Sequence, residues 1–262
     1  APVLAITGQV ARKDLGTGAK QEIDQQRLID PITVYSSLVA DASGLPVQLN
    51  QAMKKALSQG GVAHLSIPKD LWLEPVDHAL FPPAPSRPIP AVDPASLASA
   101  QSRIQQAQSP IILAGRGIQH AQAEVLRLAE ALQAPIITTM PARSYIPNDH
   151  SLFVGGLGQA GSEIASDLLN EADLCLVLGA TWWPQDYVSQ SISLIQVDAI
   201  PDAIGLTKPV DISLVGEMRE VLTRLHEGLM PTARNQWQQR VQTLRQQWKK
   251  QVKTEASQEG AP

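Results

Sequence analysis

Between residues 95 and 230 the chain alternates between two patterns. Short apolar-dominated runs, at 111–114, 136–139, 174–178, 194–197 and 212–215, are separated by stretches with helical spacing, and those at 111–114 and 174–178 contain no polar residue at all. A run with no polar position has no solvent side, so it must be covered on both faces. The intervening stretches at 96–108, 121–132, 162–169 and 218–225 supply that cover; the second carries Val125, Leu128, Ala129 and Leu132 on one stripe. Strands joined by helices run parallel. The pattern therefore predicts an α/β domain with a Rossmann-like parallel sheet of about six strands. Cys175 sits inside one apolar run and reads as a buried, inert thiol.

The rest of the chain divides around this domain. Residues 74–94 hold Pro75, Pro82, Pro83, Pro85, Pro88, Pro90 and Pro94, which makes a stiff extended connector. Residues 1–73 read as a partial α/β first domain. They contain a strand at 3–7, a helix at 45–58 with Pro46 in its first turn, a Gly60-Gly61 stop and a strand at 62–67. Residues 28–39 fit either a helix or a strand. Residues 231–262 are a helical tail, with Trp237, Val241, Leu244, Trp248 and Val252 on one stripe. Docking of that stripe on a folded domain is preferred over a membrane or nucleic-acid role. A buried-type strand at residues 3–7 with no helix before it reads as part of something longer.

Charge and composition exclude several classes. A net charge of −4 over 262 residues argues against a phosphate-backbone binder. One Cys and five scattered His rule out a disulfide framework, a zinc ribbon or an iron–sulfur site, and no metal ligands are assigned. No apolar run is long enough to span a membrane and no signal peptide is visible, so a cytoplasmic location is expected. Neither a G-x-S-x-G elbow nor a P-loop occurs.

In open parallel sheets, ligands bind beyond the carboxyl ends of the strands. Those ends carry Gly115, Arg116 and Gly117, then Thr138 through Met140 to Arg143, then Gly179 and Ala180, then Asp198. Glycines let a ligand approach the backbone, arginines face phosphate, and an acid at a strand end accepts ribose hydroxyls. Gly156, Leu157 and Gly158 open a formal G-x-G-x-x-G ending at Gly161. It follows a loop-like stretch at 148–153, and no acid lies about 20 residues further on. It reads either as a phosphate-cradling loop or as a glycine-rich turn before a helix.

Several segments together resemble thiamine-diphosphate enzymes of the acetolactate synthase and pyruvate oxidase type. PVLAITGQV (2–10), GTGAKQEID (16–24) and VAHLSIPKDL (62–71) are similar to the later half of the pyrimidine-binding domain. SPIILAGRGI (109–118), APIITTMPAR (134–143), HSLFVGGLG (150–158), ADLCLVLGA (172–180) and IQVDAIPDAIG (195–205) resemble the central domain. The resemblance implies a parent acting on 2-oxo acids with thiamine diphosphate and Mg2+, as a homo-oligomer, with FAD or ADP in the middle domain. It also implies that Gln21 and Lys69 line a substrate channel, although Lys69-Asp70 equally reads as a strand cap. Lys20 stands where such enzymes usually have an aromatic residue, and Glu217 replaces an aspartate common near the flavin.

The family's metal motif begins Gly-Asp-Gly, which occurs nowhere in this chain, and its activating glutamate would lie upstream of Ala1. The expectation is an internal segment, inactive alone, with no catalytic residue of its own. Residues 231–262 would then be the linker helix toward a third domain. The alternatives are a non-catalytic FAD- or ADP-binding module, or a segment of a pyruvate oxidase-type flavoenzyme.

Overall fold

The computed structural model describes residues 2–76, 89–158, 161–181, 183 and 191–256, apart from the side chains of 251, 252, 255 and 256. Most of the proline-rich connector, Gln159 and Ala160 of the glycine segment, and the Val252 side chain lie outside the described residues. The chain forms two compact units, Ala1–Pro88 and Ile89–Pro262.

The first unit contains β1 (Val3–Gln9), α1 (Gln25–Ile29), β2 (Tyr35–Leu38), α2 (Leu45–Gln59) and β3 (Val62–Pro68). Its sheet has the order β1-β3-β2, and both pairings are parallel. The stretch at 28–39 resolves into both of its alternatives. It holds the end of α1 and then β2, separated by a 3-10 turn containing Pro31. Helix α2 accepts Pro46 in its first turn and ends on Gly60, whose φ of 66° is the left-handed cap glycine favours. One sheet face packs Ala63, Leu65 and Ile67 against Ala52 and Ala56 of α2.

The second unit contains α3 (Pro94–Gln106), β4 (Pro110–Ala114), α4 (Gln122–Leu132), β5 (Ile136–Thr138), β6 (Phe153–Gly156), α5 (Glu163–Glu171), β7 (Leu174–Leu178), β8 (Ser193–Asp198), β9 (Ile212–Val215), α6 (Met218–Glu227) and α7 (Asn235–Ala256). Its six strands run in the order β6-β5-β4-β7-β8-β9, with every pairing parallel. Counted within the unit this is 3-2-1-4-5-6, the doubly wound order, and it reverses between β4 and β7. The expected parallel α/β sheet is present.

Strand β6 corrects the sequence reading, which placed a loop at 148–153 with no strand before the glycines. Only Phe153 and Val154 are bulky there, and Gly155-Gly156 is a poor strand former. Pairing with β5, through an irregular register at Ile136 and Ile137, imposes the strand.

Two apolar cores flank the six-stranded sheet. One joins Ile112, Leu176, Ile195 and Val197 to α3, α4 and α6. The other joins Ile111, Leu113, Cys175 and Leu194 to α5 and to Trp237, Val241 and Leu244 of α7. The tail thus docks on its own unit. Trp237 Nε1 donates to Pro110 O at 2.9 Å, Arg240 grips Glu171 at 2.6 and 2.9 Å, and Arg245 donates to His150 O at 2.6 Å.

Ahead of α7, Arg234 is 4% exposed. Its guanidinium donates to Ala107 O at 2.9 Å, Ile104 O at 3.0 Å and Leu132 O at 3.3 Å, at the carboxyl ends of α3 and α4. A cation suits those ends because unpaired carbonyls collect negative charge there. No described helix is long and apolar enough to cross a membrane.

Candidate nucleotide site

The carboxyl ends of the second sheet enclose a cavity of about 790 Å3. It sits at the reversal between β4 and β7, where neighbouring loops diverge. Eight of the residues expected from sequence line it: Arg116 and Gly117 after β4, Met140 after β5, Leu157 and Gly158 after β6, Gly179 and Ala180 after β7, and Asp198 ending β8.

Gly115, Thr138, Arg143 and Gly156 do not line the cavity. Thr138 is fully buried, and its carbonyl accepts the Leu157 amide at 2.9 Å. Arg143 is exposed and lies over Gly156. Gly156 O accepts the Ser162 amide at 2.9 Å. The glycines after β4 have a different use from close ligand approach. A Cβ on Gly115 would run into Gly179 O and Ala180, and one on Gly117 would sit 2.6 Å from Gly179 Cα. Gly117 N donates to Gly179 O at 3.0 Å. These glycines let two backbones touch across the reversal.

The glycine segment has the strand before it and helix α5 after it that the motif requires, without the acid about 20 residues further on. Ser162 sits at the N-cap of α5, yet its hydroxyl turns back to Val154 O at 2.6 Å and ties the helix start to β6. Leu157 and Gly158 are thereby held at the cavity wall.

Asp198 and Arg116 are the charged side chains of the lining. Burial raises the Asp198 carboxyl above its ordinary value, against the opposing pull of the Ile200 amide, which it accepts at 3.0 Å. A carboxylate offers about four lone-pair sites, so acceptor capacity remains for ligand hydroxyls. Met140 and Ile200, 66% and 49% exposed, add apolar surface at the rim. The sequence reading missed Gln119, Ile200 and Ala203. Proximity of Ile200 to Asp198 was the available signal for one of them; Ala203 lacks any chemical mark.

Gln21 and Lys69 both belong to the first unit and are exposed. Gln21 has φ of 71°, left-handed backbone that side chains other than glycine rarely adopt. The neighbouring Glu22 carboxylate accepts the amides of Gly16, of Gly18 at 2.8 Å and of Ala19 at 3.2 Å, which hold it below its usual pKa. Glu22 therefore closes the loop that carries Gln21. Lys69 follows β3 directly, and Asp70 accepts Arg12 N at 3.0 Å and Arg12 Nε at 2.7 Å. Among the described residues no group of three His, Cys, Asp or Glu side chains is placed to hold a metal ion.

Comparison with known proteins adds to this geometry. Residues 97–225 match the family described as thiamine pyrophosphate enzyme, central domain. A putative thiamine pyrophosphate-containing protein, YdaP of Bacillus subtilis, is 36% identical over 87% of this chain and 40% of its own length. A probable sulfoacetaldehyde acetyltransferase of Rhizobium meliloti is 35% identical over 88% of this chain and 41% of its own. The acetolactate synthase isozyme 1 large subunit of Escherichia coli is 31% identical over 93% and 44%. The chain spans about two fifths of the length of these relatives.

Proposed function

We propose, on the premise that residues 97–225 belong to the central-domain family of thiamine pyrophosphate enzymes, that the second unit holds an adenine nucleotide, as ADP or FAD, within a larger enzyme acting on 2-oxo acids. The observation that carries this reading is the cavity at the sheet reversal, with the half-buried Asp198 carboxylate at the end of β8. Cavities of this size hold cofactor-sized ligands, and their walls are mostly apolar with a few placed polar groups. Asp198 accepts ribose hydroxyls, Arg116 meets phosphate, and Met140 and Ile200 flank a flat ring. A bound flavin would bring redox-capable chemistry, while this chain's residues bind and orient it.

The relatives carry the parent assignment. Sulfoacetaldehyde acetyltransferase and acetolactate synthase similarity extends along 88% and 93% of the chain, which takes in the first unit. Residues 1–73 are then the later half of a pyrimidine-binding domain, with Gln21 and Lys69 on its substrate channel. Residues 231–262 lead toward a third domain. The parent would carry thiamine diphosphate and Mg2+, yet the residues here do not fit that pair. Gly-Asp-Gly is absent from the chain, and the described residues offer no metal-holding acid cluster. No thiamine step is therefore assigned to these residues. A non-catalytic nucleotide-binding module is the second reading, favoured by that same missing donor set.

Titration of ADP and FAD against the chain and against Asp198→Ala tests the site. Loss of one charged acceptor should weaken binding by roughly 1–3 kcal/mol. Equal affinity in the variant removes Asp198 from the site, and no binding of either nucleotide points to an empty cavity. Pyruvate, Mg2+ and thiamine diphosphate added to this chain alone should give no CO2 above a cofactor-only control. Sustained turnover there would overturn the segment reading.

A further inference from the structure

Gln196 breaks the pattern of its strand. It lies on the β8 face between Leu194 and Asp198, beside the second apolar core, and is 5% exposed. An amide buried in such surroundings is costly unless every donor is met. Here both are: Nε2 donates to Ala180 O at 3.1 Å and to Ala203 O at 2.9 Å. Oε1 in turn accepts the Gly205 amide at 2.9 Å.

Those partners belong to two different loops. Ala180 follows β7, while Ala203 and Gly205 follow β8. Ala180 and Ala203 both line the cavity. The loop after β7 is already anchored on its other side, where Gly117 N donates to Gly179 O at 3.0 Å. On the β8 side Gln196 makes the bridge, and one side chain spans both loops. Leucine would fill similar volume and make none of these bonds.

We propose that Gln196 is a positioning residue that latches the loop after β8 to the loop after β7, so that the cavity mouth has its ligand-ready shape before any ligand arrives. The inference rests on the reading of this cavity as a nucleotide site. Its benefit to binding is preorganisation, since ordering two loops at the moment of binding would otherwise subtract from affinity. Gln196 need not touch the ligand.

The test uses the full chain with ADP and FAD as probes. Gln196→Leu should weaken both by about tenfold, the size expected from losing preordered loops. The same variant should speed hydrogen exchange at the Gly205 amide at least tenfold, while amides of β4 and β7 keep their protection. Gln196→Glu supplies the second arm. Its ionised carboxylate faces two carbonyl oxygens and repels them; its protonated form donates to one. Affinity relative to the original chain should therefore recover as pH falls. Unchanged Gly205 exchange in Gln196→Leu overturns the latch, as does unchanged affinity where the original chain binds. If the original chain binds neither ADP nor FAD, the nucleotide reading fails, and Gly205 exchange alone decides whether Gln196 joins the loops.

Discussion

Both units are built on parallel sheets, yet only the second meets apolar cores on both sheet faces. In the second unit β4 and β7 are buried at every residue and meet apolar cores on both faces. In the first, edge strand β1 leaves Val3 47% and Ile6 48% exposed, and one sheet face is polar. On that face Gln25 Oε1 accepts from Thr7 at 2.5 Å and Ser66 at 2.7 Å. The Thr7 hydroxyl proton is thereby used, so His64 Nε2 must donate to Thr7 at 2.8 Å, and Nδ1 accepts from Ser36 at 3.0 Å. The six-stranded sheet depends on packing at both faces; the three-stranded sheet depends on packing at one face and on this hydrogen-bond chain at the other. Packing changes should break the second unit, and a proton should break the first.

The largest effect expected is from Gly115→Val. The added carbons collide with Gly179 O and sit 2.6 Å from Ala180 Cα, so backbone has to shift to admit them. The second unit should lose about 4 kcal/mol or more, read as earlier unfolding in denaturant, while amide protection across β1 and β3 stays as it was. An unshifted transition would show that these two loops do not touch.

Arg234→Met tests a buried charge within the apolar unit. It keeps bulk and removes the donors to Ala107, Ile104 and Leu132. The expected loss is about 2–3 kcal/mol, from carbonyls left without partners. A loss near zero would mean water replaces the guanidinium freely.

The first unit should respond to acid through His64. Burial holds the folded imidazole below its ordinary value of 6.5. Above that value both folded and unfolded states are neutral and stability is full. As pH falls below it the unfolded chain takes up a proton first, so stability declines until the folded value is reached. Each unit of depression corresponds to about 1.4 kcal/mol. Hydrogen exchange of β3 amides at pH 7.5 and 5.5 reads the decline, and His64→Asn should flatten it. An equal slope in both proteins would assign the acid response elsewhere.

The smallest effect belongs to Arg240→Ala. Its partly exposed ion pair with Glu171 joins α7 to α5. Such pairs contribute about 0.5 kcal/mol and weaken with salt. A larger loss would mean the pair orders α7 instead of decorating it.

The six-stranded fold was readable because runs 111–114 and 174–178 are apolar at each position and the other runs nearly so, which leaves a doubly covered parallel strand as the consistent answer. Strand β6 escaped because Gly155 and Gly156 erase the local signal, and only pairing with β5 restores it. Eight strand-end residues reached the cavity because strand ends converge at a sheet reversal whatever their side chains. Ala203 reached it too, placed by the turn after β8, and an alanine announces nothing in a sequence.

The sequence alone determined class and polarity: parallel α/β units, an amphipathic tail, and a cavity at the carboxyl side of the second sheet's strands. Burial is written locally, in the period of apolar residues, so it survives reading without coordinates. Choice of partner is not local. Gly115 serves Gly179, Gln196 serves Ala180 and Gly205, and Arg234 serves Ala107, 127 residues away. Each of those pairings exists only once the order β6-β5-β4-β7-β8-β9 has brought distant strand ends and helix ends together. The tertiary structure decided them because a hydrogen bond or a backbone contact acts over about 3 Å of space and takes no account of distance along the chain.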